Sequence, residues 1–139
     1  MAVVSALGSV KSTNGSTGGL NMESIAGKLA YFHEQIHLIH WQTKSFAEHK
    51  ATGEFYEYLQ DFKDNVIEQL MGCIGARIKS LTIEPISTTI KSMDVVSQVM
   101  AFATDLMNWA DSNGHIDVSN LAQELYGKAA KTKYLLTLS

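Results

Sequence analysis

The sequence has one cysteine, Cys73, and one proline, Pro85. A lone cysteine excludes a disulfide framework within the chain and favours a reducing compartment. With one proline, little interrupts a helix, and a helical chain is expected. Charge is also sparse: Asp, Glu, Lys and Arg make up 18% of the residues, and the net charge is −3. A sequence-independent nucleic-acid binder is normally basic, and Lys11 is the one basic residue before Lys28, so DNA binding is not expected. No apolar run is long enough to span a membrane. The opening stretch, Met1 to Val10, lacks the basic segment and long apolar core of a signal peptide, so a cytoplasmic location is expected. Apolar residues nevertheless make up 45% of the 139 residues. That suffices for one domain with one buried core and argues against disorder.

Residues 1–20 are rich in Ser, Gly and Thr, with Asn14-Gly15 and Gly18-Gly19 as breakers. A flexible N-terminal arm is expected there, one that can dock on a larger assembly. Residues 21–139 read as a single all-α domain. Helical periodicity places helices over Met22–Lys44, Thr52–Leu81 and Met93–Ser112, and a fourth from Asp117 onward. Ser92 and Asp117 are the expected N-caps, and Asn113-Gly114 the expected stop. The third helix repeats Val95, Val96, Val99, Ala103 and Leu106, and the fourth Leu121, Leu125, Ala129 and Leu136. Four helices with short connections predict an antiparallel four-helix bundle, with a longer crossover between the second and third around Pro85.

The first helix is apolar on two sides. Leu29, Phe32, Ile36 and Ile39 fall on one, and Ala30, Tyr31, Leu38 and Trp41 nearly opposite. His33, His37 and His40 form a stripe between them. One side fits the bundle core, and the other is expected to face a second subunit. The second helix has an apolar face of Phe55, Leu59, Phe62, Val66, Leu70 and Cys73, with Cys73 read as a small core residue. Opposite runs an acidic stripe of Glu54, Glu57, Asp61, Asp64 and Glu68.

Three groups of residues carry candidate chemistry. Asp64 and Glu68, four apart on a helix, present carboxylates to one side, and His40 and His49 offer neutral imidazoles. A mixed N/O set of this kind suits iron(II), zinc(II) or manganese(II). The same acidic stripe is also what a solvated helix face presents. The second group is His33-Glu34-Gln35-Ile36-His37, the H-E-x-x-H pattern of zinc peptidases, with Glu57 twenty residues later in a Glu57-x-x-x-Asp61 arrangement as third ligand. No strand-like run precedes it to hold a peptide. In the third, Glu34-x-x-His37 reads as a carboxylate–imidazole pair of the ferritin type.

His40-Trp41-Gln42-Thr43-Lys44-Ser45-Phe46-Ala47-Glu48-His49, followed by Asp64-x-x-x-Glu68 fifteen residues after His49, resembles the Dps-like miniferritins of the ferritin-like superfamily. Asn113-Gly114-His115-Ile116-Asp117 and Lys133-Tyr134-Leu135-Leu136 are similar to that family's last turn and final helix. Short sequences of this kind also resemble products of tailed-phage genomes, which implies a phage-encoded member and a virion as the other location. The resemblance implies a ferritin-like bundle in a homo-oligomer, a two-fold dimer or a dodecameric shell. It implies ferroxidase chemistry, the binding, oxidation and sequestration of ferrous iron. His40 and His49 would come from one subunit, and Asp64 and Glu68 from its two-fold partner. The sequence departs from the family's pattern at Gly53, where a further acidic ligand is expected, and in a shorter His40–His49 connection and crossover. A bundle that keeps this architecture without the iron chemistry, as a structural or virion component, is the alternative.

Overall fold

A computed structural model describes residues 19–139. The expected arm over 1–20 therefore lies outside the described residues as far as residue 18. Four helices follow: α1 (Met22–Gln42), α2 (Phe46–Ile74), α3 (Ser92–Ser112) and α4 (Ile116–Leu136). Asn21 caps α1 through a reciprocal box: its side chain accepts from the Ser24 amide at 2.8 Å, and the Ser24 hydroxyl accepts from the Asn21 amide at 2.9 Å. Two donors that the helix leaves unpaired are thereby satisfied. Ser45 caps α2 in the same sense, accepting from the Glu48 amide.

The helices pack as an all-α four-helix bundle around one core. Phe32 and Ile36 of α1, Phe55 and Leu59 of α2, Leu106 of α3 and Leu125 of α4 are fully buried in it. The packed pairs are α1 with α2, α3 with α4, α2 with α4 and α1 with α3. Each pair is antiparallel, because a long connection returns the chain from the end of α2 to the end where α2 began. The Ser92 hydroxyl at the start of α3 donates to Glu48 in the first turn of α2, which fixes that direction.

The connection, residues 75–91, differs from expectation. α2 ends at Ile74, not Leu81, because Gly75 takes φ +78° as the C-cap and its amide bonds back to the Met71 carbonyl. An L side chain is strained there, and glycine is the residue that ends helices this way. The segment that follows is extended rather than helical and runs along α1. The Lys79 amide donates to Glu23, Thr82 lies against Gly27, and Lys28 pairs with Glu84 at 3.7 Å. Gln35, buried in the core, grips the backbone of Ser87 with both ends of its amide, at 2.8 and 2.9 Å. Glu23, Gly27, Tyr31 and Gln35 are spaced four apart and share one face of α1. The chain's own crossover covers part of the side where a second subunit was expected, and Tyr31 is accordingly buried, while Trp41 on that side stays 68% exposed.

Smaller expectations also change. Lys91, not Ser92, is the N-cap of α3, and the Ser92 hydroxyl is engaged by Glu48 instead. His115, not Asp117, is the N-cap of α4; Asp117 sits in the first turn, where its charge favours the helix dipole. Cys73 is exposed, since the core face of α2 ends at Leu70. No helix among the described residues is long and apolar enough to cross a membrane.

Candidate metal centre

The turn between α1 and α2 folds His49 back over His40. The His40 Nδ1 lies 2.8 Å from the His49 carbonyl, and the His49 Nδ1 lies 3.0 Å from the His40 carbonyl. Carbonyls only accept, so both Nδ1 atoms carry protons and donate. In each neutral ring the lone pair is then on Nε2, and neither Nε2 has a hydrogen-bond partner among the described residues. A backbone carbonyl on Nδ1 fixes the tautomer and orientation of an imidazole and leaves Nε2 able to bind a metal. The rings stack at 3.8 Å, with 17° between their planes. His40 also lies flat on α2: a Cβ at Gly53 would stand 2.9 Å from its Cε1. Gly53 is thus the space that the His40 ring fills. An acidic side chain at this position, as the family resemblance called for, would collide with that ring.

Asp64 and Glu68 lie farther along α2, both exposed. A hydrogen bond to Asp64 and then the charge of Asp64 raise the Glu68 pKa above its ordinary value, with a smaller contribution from desolvation. At 1.5 Å of rise per residue, Asp64 stands about 22 Å along the helix from His49. The structure brings His40 to His49, and Asp64 to Glu68, but does not bring the two pairs together within one chain. Asp64 also borders a cleft of about 390 Å³ between α1, α2 and the crossover, with Lys63, Lys79, Ile67 and Ile78. The concave surface of the molecule beside Asp64 is therefore partly apolar.

His33, Glu34 and His37 are brought together on α1. One ligand atom from each lies within 4.8 Å of the other two. The His33 Nδ1 sits 2.9 Å from Glu34 Oε1, while its Nε2 is buried with no hydrogen-bond partner among the described residues. His37 is sandwiched between Trp41 at 3.9 Å and Tyr56 at 4.1 Å. Glu57 and Asp61, candidate partners of this cluster, are exposed on α2 and do not join it. No strand is present among the described residues.

Tyr56 is a residue that sequence reading passes over. It stacks on His37 and approaches His33 and His40 at 5.6 and 5.3 Å, so one phenol ring organises three imidazoles. Its place one residue after the core position Phe55 was the available signal. Thr52, buried in α2, is the other: its hydroxyl lies 3.3 Å from the His40 Nδ1.

Residues 40–136 match a family of unknown function, DUF5856, and the chain belongs to that family. The match begins at His40 and takes in His49, Asp64 and Glu68, while the His33–His37 cluster lies before it. Neither a curated protein nor a solved structure matches the chain.

Proposed function

We propose that this DUF5856 chain binds and oxidises ferrous iron at a site that two copies build between them, in the manner of the Dps-like miniferritins it resembles. His40 and His49 of one copy supply imidazole nitrogens, and Asp64 and Glu68 of the other supply carboxylate oxygens. The observation that carries this reading is the reciprocal pair of Nδ1–carbonyl hydrogen bonds, which leaves two stacked imidazoles with free Nε2 lone pairs. The roughly 22 Å between these rings and the carboxylates of the same chain favours assembly across copies. Iron is substrate here. Carboxylates stabilise iron(III) over iron(II), and the imidazoles hold position while leaving coordination sites open to the oxidant. Each ferrous ion gives one electron to dioxygen or peroxide, and the ferric product sheds protons as it hydrolyses. A closed homo-oligomeric shell would retain that product.

The test is ferrous oxidation, followed by absorbance of the ferric product, in Asp64→Ala/Glu68→Ala. Loss of catalysed oxidation with the oligomer intact is the expected result. Oxidation at the wild-type rate removes the proposed site, and a wild-type oligomer that never oxidises iron favours the purely structural alternative.

A further inference from the structure

We propose that His33, Glu34 and His37 form a second metal site, complete within one chain, for a divalent cation of borderline softness such as zinc(II) or cobalt(II). It lies beside the His40–His49 pair and does not depend on it.

The argument starts from His33. A carboxylate accepts, so the hydrogen bond to Glu34 fixes the proton on Nδ1. The remaining lone pair on Nε2 is buried and unpaired. Leaving a buried polar atom unpaired is unfavourable, and native structures rarely do so without reason. A metal ion on Nε2 satisfies it. Carboxylate, imidazole and metal then form the triad by which proteins orient histidine ligands.

His37 supplies the second nitrogen. Trp41 and Tyr56 cover both faces of its ring, so only the ring edge is free to bind. No hydrogen bond engages either ring nitrogen among the described residues. Packing of this kind fixes a ligand before the metal arrives. Metal–nitrogen bonds of 2.0–2.1 Å place two ligands of one ion at most about 4 Å apart. A ring nitrogen of His33 and one of His37 already lie within 4.8 Å of each other, so a side-chain adjustment brings the two imidazoles to one ion. Two imidazole nitrogens, with Glu34 orienting one of them and water completing the coordination, suit zinc or cobalt rather than calcium or magnesium. All three residues sit on one helix, so binding should not vary with protein concentration.

Cobalt(II) is the probe, because a paramagnetic ion at His37 quenches the emission of Trp41, whose ring lies 3.9 Å from that of His37. The measurement uses the full chain, stripped of metal, with His40→Gln/His49→Gln to remove the neighbouring site and Trp109→Phe to isolate Trp41. Saturable quenching with one ion per chain is expected. Adding His37→Gln should abolish it, and Glu34→Ala should weaken it by roughly 10–100-fold. Absence of quenching, or quenching unchanged by His37→Gln, overturns the proposal, whatever the iron oxidation assay shows. Should the triple background fail to fold, zinc(II) counted by native mass spectrometry decides. His37→Gln alone must then lower the wild-type stoichiometry by one ion per chain, and an unchanged count rejects the site.

Discussion

At the scale of the residue, the proposed iron site depends on shifts of a few tenths of an ångström. Gly53 has no side chain, and His40 uses that space. Alanine is the better helix former by about 1 kcal/mol, so Gly53→Ala should leave folding intact or improve it. Its Cβ would nevertheless push the His40 ring off its bond to the His49 carbonyl. Ferrous binding under argon, measured by calorimetry, should weaken roughly tenfold or more. Wild-type affinity in that variant would show that the ring's position does not matter. Tyr58 gives a second prediction. Burial, and then the charge of Glu124, push its pKa from 10.0 up to about 12. The folded state therefore holds the phenol proton more tightly than the unfolded state does. The associated stability is complete below the unfolded pKa and is lost as pH rises through the folded one. Denaturation midpoints of Tyr58→Phe should fall less steeply across the alkaline range than those of the wild type. Equal slopes would contradict this.

The sequence suggested that His40 and His49 belong together, but not the mutual bonds that hold them. His40 and His49 are nine positions apart across a turn, and no helical period links them. Their mutual bonds to backbone carbonyls depend on how Thr43 to Ser45 turn the chain. The His33–Glu34–His37 grouping was legible, because positions four apart on a helix must be neighbours.

At the scale of the element, periodicity located the helices well and their ends poorly. Phe55, Leu59, Phe62, Val66 and Leu70 mark the buried face of α2 without ambiguity, and all are buried. Ile78 and Leu81 continue that spacing past the true end at Ile74. One glycine in the left-handed region stops the helix and sends Ile78 and Leu81 into the crossover. Gln35 was equally hidden: a polar residue on an apolar helix face, fully buried, because it ties down Ser87. Gln35→Leu keeps the volume but orphans an amide N–H and a carbonyl. A loss of roughly 2–4 kcal/mol is expected in urea denaturation, with faster hydrogen exchange at the Ser87 amide. Unchanged stability would mean that the crossover does not depend on this grip. Gly27→Ala acts on the same strap from the other side, since its Cβ would stand 2.3 Å from the Thr82 carbonyl oxygen. It should loosen the crossover in the same exchange measurement.

At the scale of the whole molecule, the proposed iron site has its two halves at separate places on one chain. The imidazole pair sits where α1 turns into α2, and the carboxylate pair lies about 22 Å along α2. A two-fold interface presents the same patch on both copies, so it can bring each half to its complement twice. The direct test is complementation. Chains carrying His40→Gln/His49→Gln are refolded together with chains carrying Asp64→Ala/Glu68→Ala, and ferrous oxidation is followed. Each variant alone should be inactive. Random pairing makes half the dimers mixed, each with one intact site of two, so a site shared between copies predicts recovery to about a quarter of the wild-type rate. No recovery from the mixture, or full activity in either variant alone, would contradict it.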